Sequence, residues 1–259
     1  MSDLQPLDVV ASLRAAGCVF AEEEAALLVE AASTEAELTD MVARRVSGLP
    51  LEQILGWAKF RGLRIEVEPG VFVPRRRTEL LVSLAVDRLG PGAVIVDLCC
   101  GSGAIGTALA VELEIPDVYG VELDPAAIPT ARRNLEPAGG TVLQGDLFEP
   151  LPARLRGTVD AVLVCPPYVP TDAVAFMPPE ARLHEPLTAL DGGVDGLDIV
   201  RRLISQAPRW LAPGGVVVIE TSGAQAAGVV RTCELTGLSA EVHHDEDLGA
   251  TAVVAVAAT

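Results

Sequence analysis

No stretch of this 259-residue chain stays apolar for the roughly 20 residues that a membrane-crossing helix needs. Its longest apolar runs, GAVIVDLCCG and GGVVVIETSG among them, are strand-length and broken by glycine or charge, so no membrane partner is expected. The opening MSDLQPLDVV has no basic stretch followed by an apolar core. No secretory leader is visible there, and a cytoplasmic location is the default expectation. Positive charge is also scarce: 19 basic residues face 36 acidic ones, a net charge of −17 spread along the chain without an acidic tail. A field of that sign repels phosphates and argues against nucleic acid as a partner. The one basic run, Arg75-Arg76-Arg77, is short and reads as a solvated turn before a helix. Metal-ligand spacing is missing too. Cys18, Cys99, Cys100, Cys165 and Cys233 form no CxxC pair, and His184, His243 and His244 fall in no zinc pattern. Reduced thiols and metal-free chemistry are expected.

What the chain does have is apolar residues, half of the total, enough for one sizeable core and a small accessory one. Residues 7 to 48 carry apolar positions at helical spacing, interrupted at Gly17 and at Ser33-Thr34, which predicts three short helices. From 50 to 74 the pattern changes to short alternating pieces around Gly56, Gly62 and Gly70, which predicts a hairpin linker. Beyond residue 75 six strand candidates alternate with helical stretches: AVIVDL, DVYGVEL, GTVLQG, DAVLVC, GGVVVIET and TAVVAVA. This alternation predicts a mostly parallel sheet covered by helices on both faces. The expected division is a helical segment over 1–49, the linker over 50–74 and an α/β domain over 75–259.

In such a sheet, ligands bind beyond the carboxyl ends of the strands. The first of these ends is VIVDLCCGSGAIG, where Gly101, Gly103 and Gly106 spell GxGxxG and Glu122 ends the next strand, as a dinucleotide fold would have it. An NAD-linked oxidoreductase is therefore a rival reading. Asp97, however, stands beside the loop, and a carboxylate there is poorly suited to a pyrophosphate. It suits S-adenosyl-L-methionine (AdoMet), which carries an ammonium and a sulfonium and no phosphate. Gly101 and Gly103 would then admit the methionine part, Glu122 would accept from the ribose hydroxyls, and Asp146 after the third strand would accept from the adenine amino group.

The segments DLCCGSGAIG, GVELDPAAI, GDLFEPL, VLVCPPYVP, HEPLTALDGGVDGL and LAPGGVVVIE occur in this order and resemble the protein-(glutamine-N5) methyltransferases of the PrmC/HemK type. The likeness begins at PLEQILGWAKFRGLRIEVEPGVFVPRRRTELLV and covers roughly residues 50 to 257. It implies a class I AdoMet-dependent methyltransferase fold, Rossmann-like with a seven-stranded sheet, and methyl transfer to a glutamine side chain of a release factor or ribosomal protein. The wording of PRRRTE and DLCCGSG is closer to a branch of that family without an assigned substrate. By the resemblance the cofactor set comprises Asp97, Cys99, Gly101, Gly103, Glu122, Leu123, Asp146, Leu147 and Cys165. The catalytic turn is Cys165-Pro166-Pro167-Tyr168, and Phe72, Pro74, Arg75, Tyr168, Glu180 and Glu185 would face the acceptor.

The family's turn reads Asn-Pro-Pro-Tyr, and here cysteine stands in the asparagine position. An amide nitrogen is a poor nucleophile that needs good acceptors for its N–H groups, and a thiol is a weak one. Three explanations follow: a more nucleophilic nitrogen in a small guanidino or amine metabolite, glutamine chemistry sustained by backbone carbonyls and Tyr168, or a protein that binds cofactor without turnover. Glu180, Glu185 and Glu220 are candidates to neutralise a cationic substrate.

Overall fold

Three helices open the described chain, which in this computed structural model comprises residues 6–115 and 117–258. Residues 1–5, on which part of the leader reading rests, lie outside it. Helices α1 (Pro6–Ala15), α2 (Ala21–Ala31) and α3 (Glu35–Val46) turn their apolar stripes inward and bury Val9, Leu13, Leu28, Leu38 and Met41 in a cluster of their own. Thr34 caps α3: its hydroxyl accepts from the Glu37 amide at 3.2 Å, and the Glu37 carboxylate in turn accepts from the Ser33 amide at 2.8 Å. A further short helix, α4 (Leu51–Leu55), was not anticipated; it stops at left-handed Gly56. The hairpin β1 (Trp57–Phe60) and β2 (Leu63–Glu66) follows as expected. Its turn residues Arg61 and Gly62 both have positive φ, 50° and 77°, the geometry that matches right-twisted strands.

After α5 (Glu79–Val86) come β3 (Ile95–Leu98), α6 (Ala104–Glu112), β4 (Val118–Glu122), α7 (Ile128–Leu135), β5 (Thr141–Gln144) and β6 (Val159–Val164). The short α8 (Pro179–His184), α9 (Asp198–Gln206), β7 (Leu211–Glu220), α10 (Ala226–Glu234), β8 (Ser239–Asp245) and β9 (Ala250–Val256) complete the order. The seven strands β3 to β9 lie in the sequence β5-β4-β3-β6-β7-β9-β8, parallel except where β9 joins β7 and β8. Strand β3 is buried at every residue, as a central parallel strand must be. One face packs on α5, α6 and α7 through Leu81, Leu109 and Leu135; the other packs on α9 and α10 through Leu203, Ile204 and Val229. The chain walks outward from β3 to β5 and then returns to the opposite side of β3 as β6. That reversal opens a crevice at the carboxyl ends of β3 and β6, which locates the site. Among the described residues no helix is long and apolar enough to cross a membrane.

Candidate active site

The loop after β3 is bent by three left-handed residues, Cys99 (φ 54°), Gly101 (φ 53°) and Gly103 (φ 77°). Cys99 is the residue of the three with a side chain, and such strain concentrates at functional turns. Two carboxylates hold the loop. Glu122 accepts from the amide of Gly101 and from that of Asp124, both at 2.8 Å. Asp97 is fully buried beneath the loop, where Oδ2 accepts from the Gly106 amide at 2.9 Å and Oδ1 has no partner. Burial drives the Asp97 carboxyl up to about 7, the Gly106 amide opposing and the Glu122 charge adding to the rise. Burial likewise raises Glu122, against the pull of the Asp124 and Gly101 amides. Gly106 is required by contact rather than by conformation: a Cβ there would stand 3.3 Å from Asp97 Oδ2 and from Val118 Cγ1. Asn134 on α7 braces the loop from outside, donating to Ser102 O at 2.8 Å while exchanging hydrogen bonds with the backbone of Glu66 in β2. Nothing in the sequence marked that asparagine.

Above the loop lies a cleft of about 1370 Å³, solvent at its mouth included. Of the expected cofactor residues, Cys99, Gly101, Glu122, Leu123, Asp146, Leu147 and Cys165 line it. Asp97 and Gly103 do not reach its surface. Asp97 shapes the loop from behind, and Gly103 packs against α7, its missing Cβ 3.2 Å from Ala131 O. Asp146 is not free either. It pairs with Arg202 of α9, a lining residue that sequence reasoning missed, as was its helix neighbour Ile199.

The other half of the cleft is walled by Phe72, Pro74 and Arg75 from the end of the linker and by the turn Cys165 to Tyr168 after β6. Behind this wall is Glu220, the last residue of β7, 2% exposed. It accepts from Thr78 Oγ1 at 2.6 Å, from Arg77 Nε at 3.1 Å and from the Tyr168 hydroxyl at 3.2 Å. Burial first and the Glu220 charge second push the pKa of the Cys165 thiol well up, so Cys165 is a neutral thiol and not a nucleophile. The same two causes raise Tyr168.

The expected role of Glu180, Glu185 and Glu220 in neutralising a cationic substrate is not what the structure presents. Glu220 and Glu185 are already matched to arginines of the cleft wall, and Glu180 shares Arg45 with Glu24, which holds it at 2.6 Å. Glu220 has Arg77; Glu185, its carboxylate fully buried, accepts from Arg75 at 2.6 Å and from the Val73 amide at 3.2 Å. Glu180 lies outside the cleft lining and faces Arg45 of α3 at 3.4 Å. The run Arg75-Arg76-Arg77, read as a solvated turn, thus supplies two of the wall's counter-charges. No group of His, Cys, Asp and Glu among the described residues has the makings of a metal site.

The family model described as "Methyltransferase small domain" matches residues 62–185. A release factor glutamine methyltransferase of Gloeobacter violaceus is 44% identical over 75% of this chain and 70% of its own, and one of Streptomyces coelicolor is 45% identical over 76% and 72%. The 4-amino-L-phenylalanine/4-methylamino-L-phenylalanine methyltransferase of Streptomyces pristinaespiralis is 40% identical over 76% of this chain and 69% of its own. Among solved structures, the 16S rRNA N2 G1207 methyltransferase of T. thermophilus shares the fold, with a TM-score of 0.58 at 20% identity, over 78% of this chain and 49% of that one. The dinucleotide reading of the glycine loop gives way to these relationships: the chain belongs to the PrmC/HemK-like family of release factor glutamine methyltransferases and is an AdoMet-dependent N-methyltransferase.

Proposed function

We propose that this enzyme transfers a methyl group from AdoMet to the side-chain amide nitrogen of a glutamine in a protein substrate. The observation that carries the reading is the meeting of the glycine loop and the Cys165–Tyr168 turn in one cleft, in a chain whose relatives are named for that reaction. The residues present fit the cofactor. A Cβ on Gly101 would project into open space of the cleft, so its absence leaves room for a ligand against the backbone. Glu122 and Asp146 are acceptors for hydroxyl and amino groups, and Arg202, the arginine at that end among the described residues, is spent on Asp146. Among the described residues a pyrophosphate would find no free cation there. Gly101, Glu122, Leu123, Asp146 and Leu147 would hold the cofactor, which when bound supplies an electrophilic methyl group on a sulfonium.

The protein's own task is then to hold a nitrogen in line with that methyl and to accept from its N–H groups. In this reading Tyr168 packs beside the acceptor, and the Cys165 sulfur and the Pro166 carbonyl accept from it. Phe72 and Pro74 form the facing wall, which accords with a division into helical segment 1–49, linker 50–74 and catalytic domain 75–259. A cytoplasmic location suits a protein substrate and five free thiols.

A second reading is favoured by Cys165 itself and by the relative named for an arylamine amino acid: the acceptor is a small aromatic amine, whose nitrogen needs less assistance. Two experiments separate these readings. Calorimetric titration of the pure protein should show saturable binding of AdoMet and none of NADH. Methyl-labelled AdoMet supplied with a glutamine-containing peptide and with 4-amino-L-phenylalanine should label the peptide. Label on the amine alone would favour the second reading, and binding without label on either would count against both.

A further inference from the structure

We infer that Glu220 is a positioning residue for the acceptor subsite, and that Arg77, by cancelling its charge, fits the subsite to an uncharged nitrogen. The inference rests on reading the Cys165–Tyr168 turn as the place where the acceptor binds. A buried carboxylate is unfavourable unless its oxygens are fully hydrogen-bonded and its charge is matched. Glu220 meets both conditions with groups from two segments far apart in the chain, Arg77 and Thr78 at the exit of the linker and Tyr168 after β6.

All three of those partners line the cleft, whereas Glu220 does not. The carboxylate therefore stands one layer behind the wall, and the wall is made of what it holds. Its own place is fixed by the sheet. Glu220 pairs with Ala252 of β9, and it lies one step beyond the β6–β7 pair of Val164 with Ile219, opposite the start of the turn. A strand in mid-sheet is a rigid mount for a positioning group.

Charge decides what such a wall receives. Glu220 with Arg77, and Glu185 with Arg75, leave the acceptor side electrically balanced. An alkylammonium entering there would lose its hydration without gaining a free counter-ion, which disfavours it. A carboxamide or an aromatic amine is uncharged near neutral pH and meets no such penalty. The wall therefore suits a nitrogen that carries no charge, and a lysine-like or guanidinium group is disfavoured there.

The test is a charge cycle on the full chain: Glu220→Gln, Arg77→Gln and the double variant. Each is assayed for AdoMet affinity by calorimetry, for melting temperature, and for kcat and KM with a glutamine peptide, 4-amino-L-phenylalanine and a lysine peptide. Each single variant should lower kcat/KM for the neutral acceptor about tenfold with AdoMet affinity unchanged, and the double variant should recover above both singles because the charges are again balanced. Arg77→Gln, leaving Glu220 uncompensated, should be the variant that gains on the lysine peptide. Losses that add in the double variant, or that track AdoMet affinity, would reduce Glu220 to a structural tie and overturn the inference, as would wild-type methylation of the lysine peptide on a par with the neutral acceptors. Should Glu220→Gln fail to fold, Tyr168→Phe removes one of its contacts alone and must raise acceptor KM; an unchanged KM overturns the inference as well. Wild-type protein that binds AdoMet yet methylates no nitrogen sinks the underlying reading of the subsite, an outcome distinct from an active enzyme indifferent to Glu220.

Discussion

Replacing Cys165 by asparagine asks directly what this enzyme methylates. The thiol stands directly after β6, lines the cleft, and is kept neutral by burial and by Glu220 behind it. A neutral thiol offers an incoming N–H little more than a polarisable surface. Asparagine in its place adds a carbonyl oxygen as acceptor. One good hydrogen bond to a partly desolvated amide is worth about 1–3 kcal/mol, which is about one to two decades in rate if it forms in the transition state. Cys165 is only partly buried, with solvent at the mouth of the cleft, so the lower end applies and about a tenfold gain is expected.

The assay is methyl transfer from labelled AdoMet under single-turnover conditions, which isolates the chemical step from product release. For a glutamine peptide Cys165→Asn should raise the rate about tenfold and leave AdoMet affinity alone. For 4-amino-L-phenylalanine the rate should stay level or fall, because that nitrogen already carries a usable lone pair and the larger side chain takes up space. An unchanged rate on both acceptors would mean that position 165 does not touch the acceptor nitrogen. A parallel drop in AdoMet affinity would place Cys165 against the cofactor instead.

Three further outcomes follow from the donor half of the cleft. Asp97 titrates at about 7 in the fold against an ordinary 3.8, so its protonated form is favoured by folding; its contribution to stability is complete below about pH 4 and is lost as pH rises toward 7. Asp97→Asn keeps a carbonyl for the Gly106 amide and cannot ionise, so thermal melts without cofactor should show it gaining on the wild type above about pH 7 and not below about pH 4; equal differences at both ends would refute this. Gly101→Ala adds a methyl to a left-handed residue, at a cost of about 1 kcal/mol, and points it into the cleft. Calorimetry should show AdoMet affinity falling about tenfold or more with only a small drop in melting temperature. Asp146→Asn breaks a half-exposed pair with Arg202, so stability should barely change while AdoMet affinity weakens by about threefold to tenfold; unchanged affinity would remove Asp146 from the cofactor set.

What was legible in the chain was whatever is written over short distances. Apolar runs that stop near Asp97, Glu122, Asp146 and Cys165 mark strand ends, and strand ends in a parallel sheet are where ligands bind, so Gly101, Glu122 and Asp146 followed from spacing, while Cys99, Leu123, Leu147 and Cys165 came from the family resemblance. Strand β8 escaped because SAEVHHD is a half-exposed edge strand with little apolar content to announce it. The acceptor half was harder for a different reason. Its wall depends on pairings across about half the chain: Arg77 with Glu220 is a contact between residues 143 positions apart, and Arg75 with Glu185 spans 110. A carboxylate read in isolation suggests a cation-binding surface, and three of them suggested a cationic substrate. Once Glu185 and Glu220 are seen with their arginines, and Glu180 is seen outside the cleft, the inference reverses. The protein carries a large negative charge on the whole, yet the two carboxylates of this wall are each paired with an arginine, and that pairing belongs to the fold and not to any segment of the sequence.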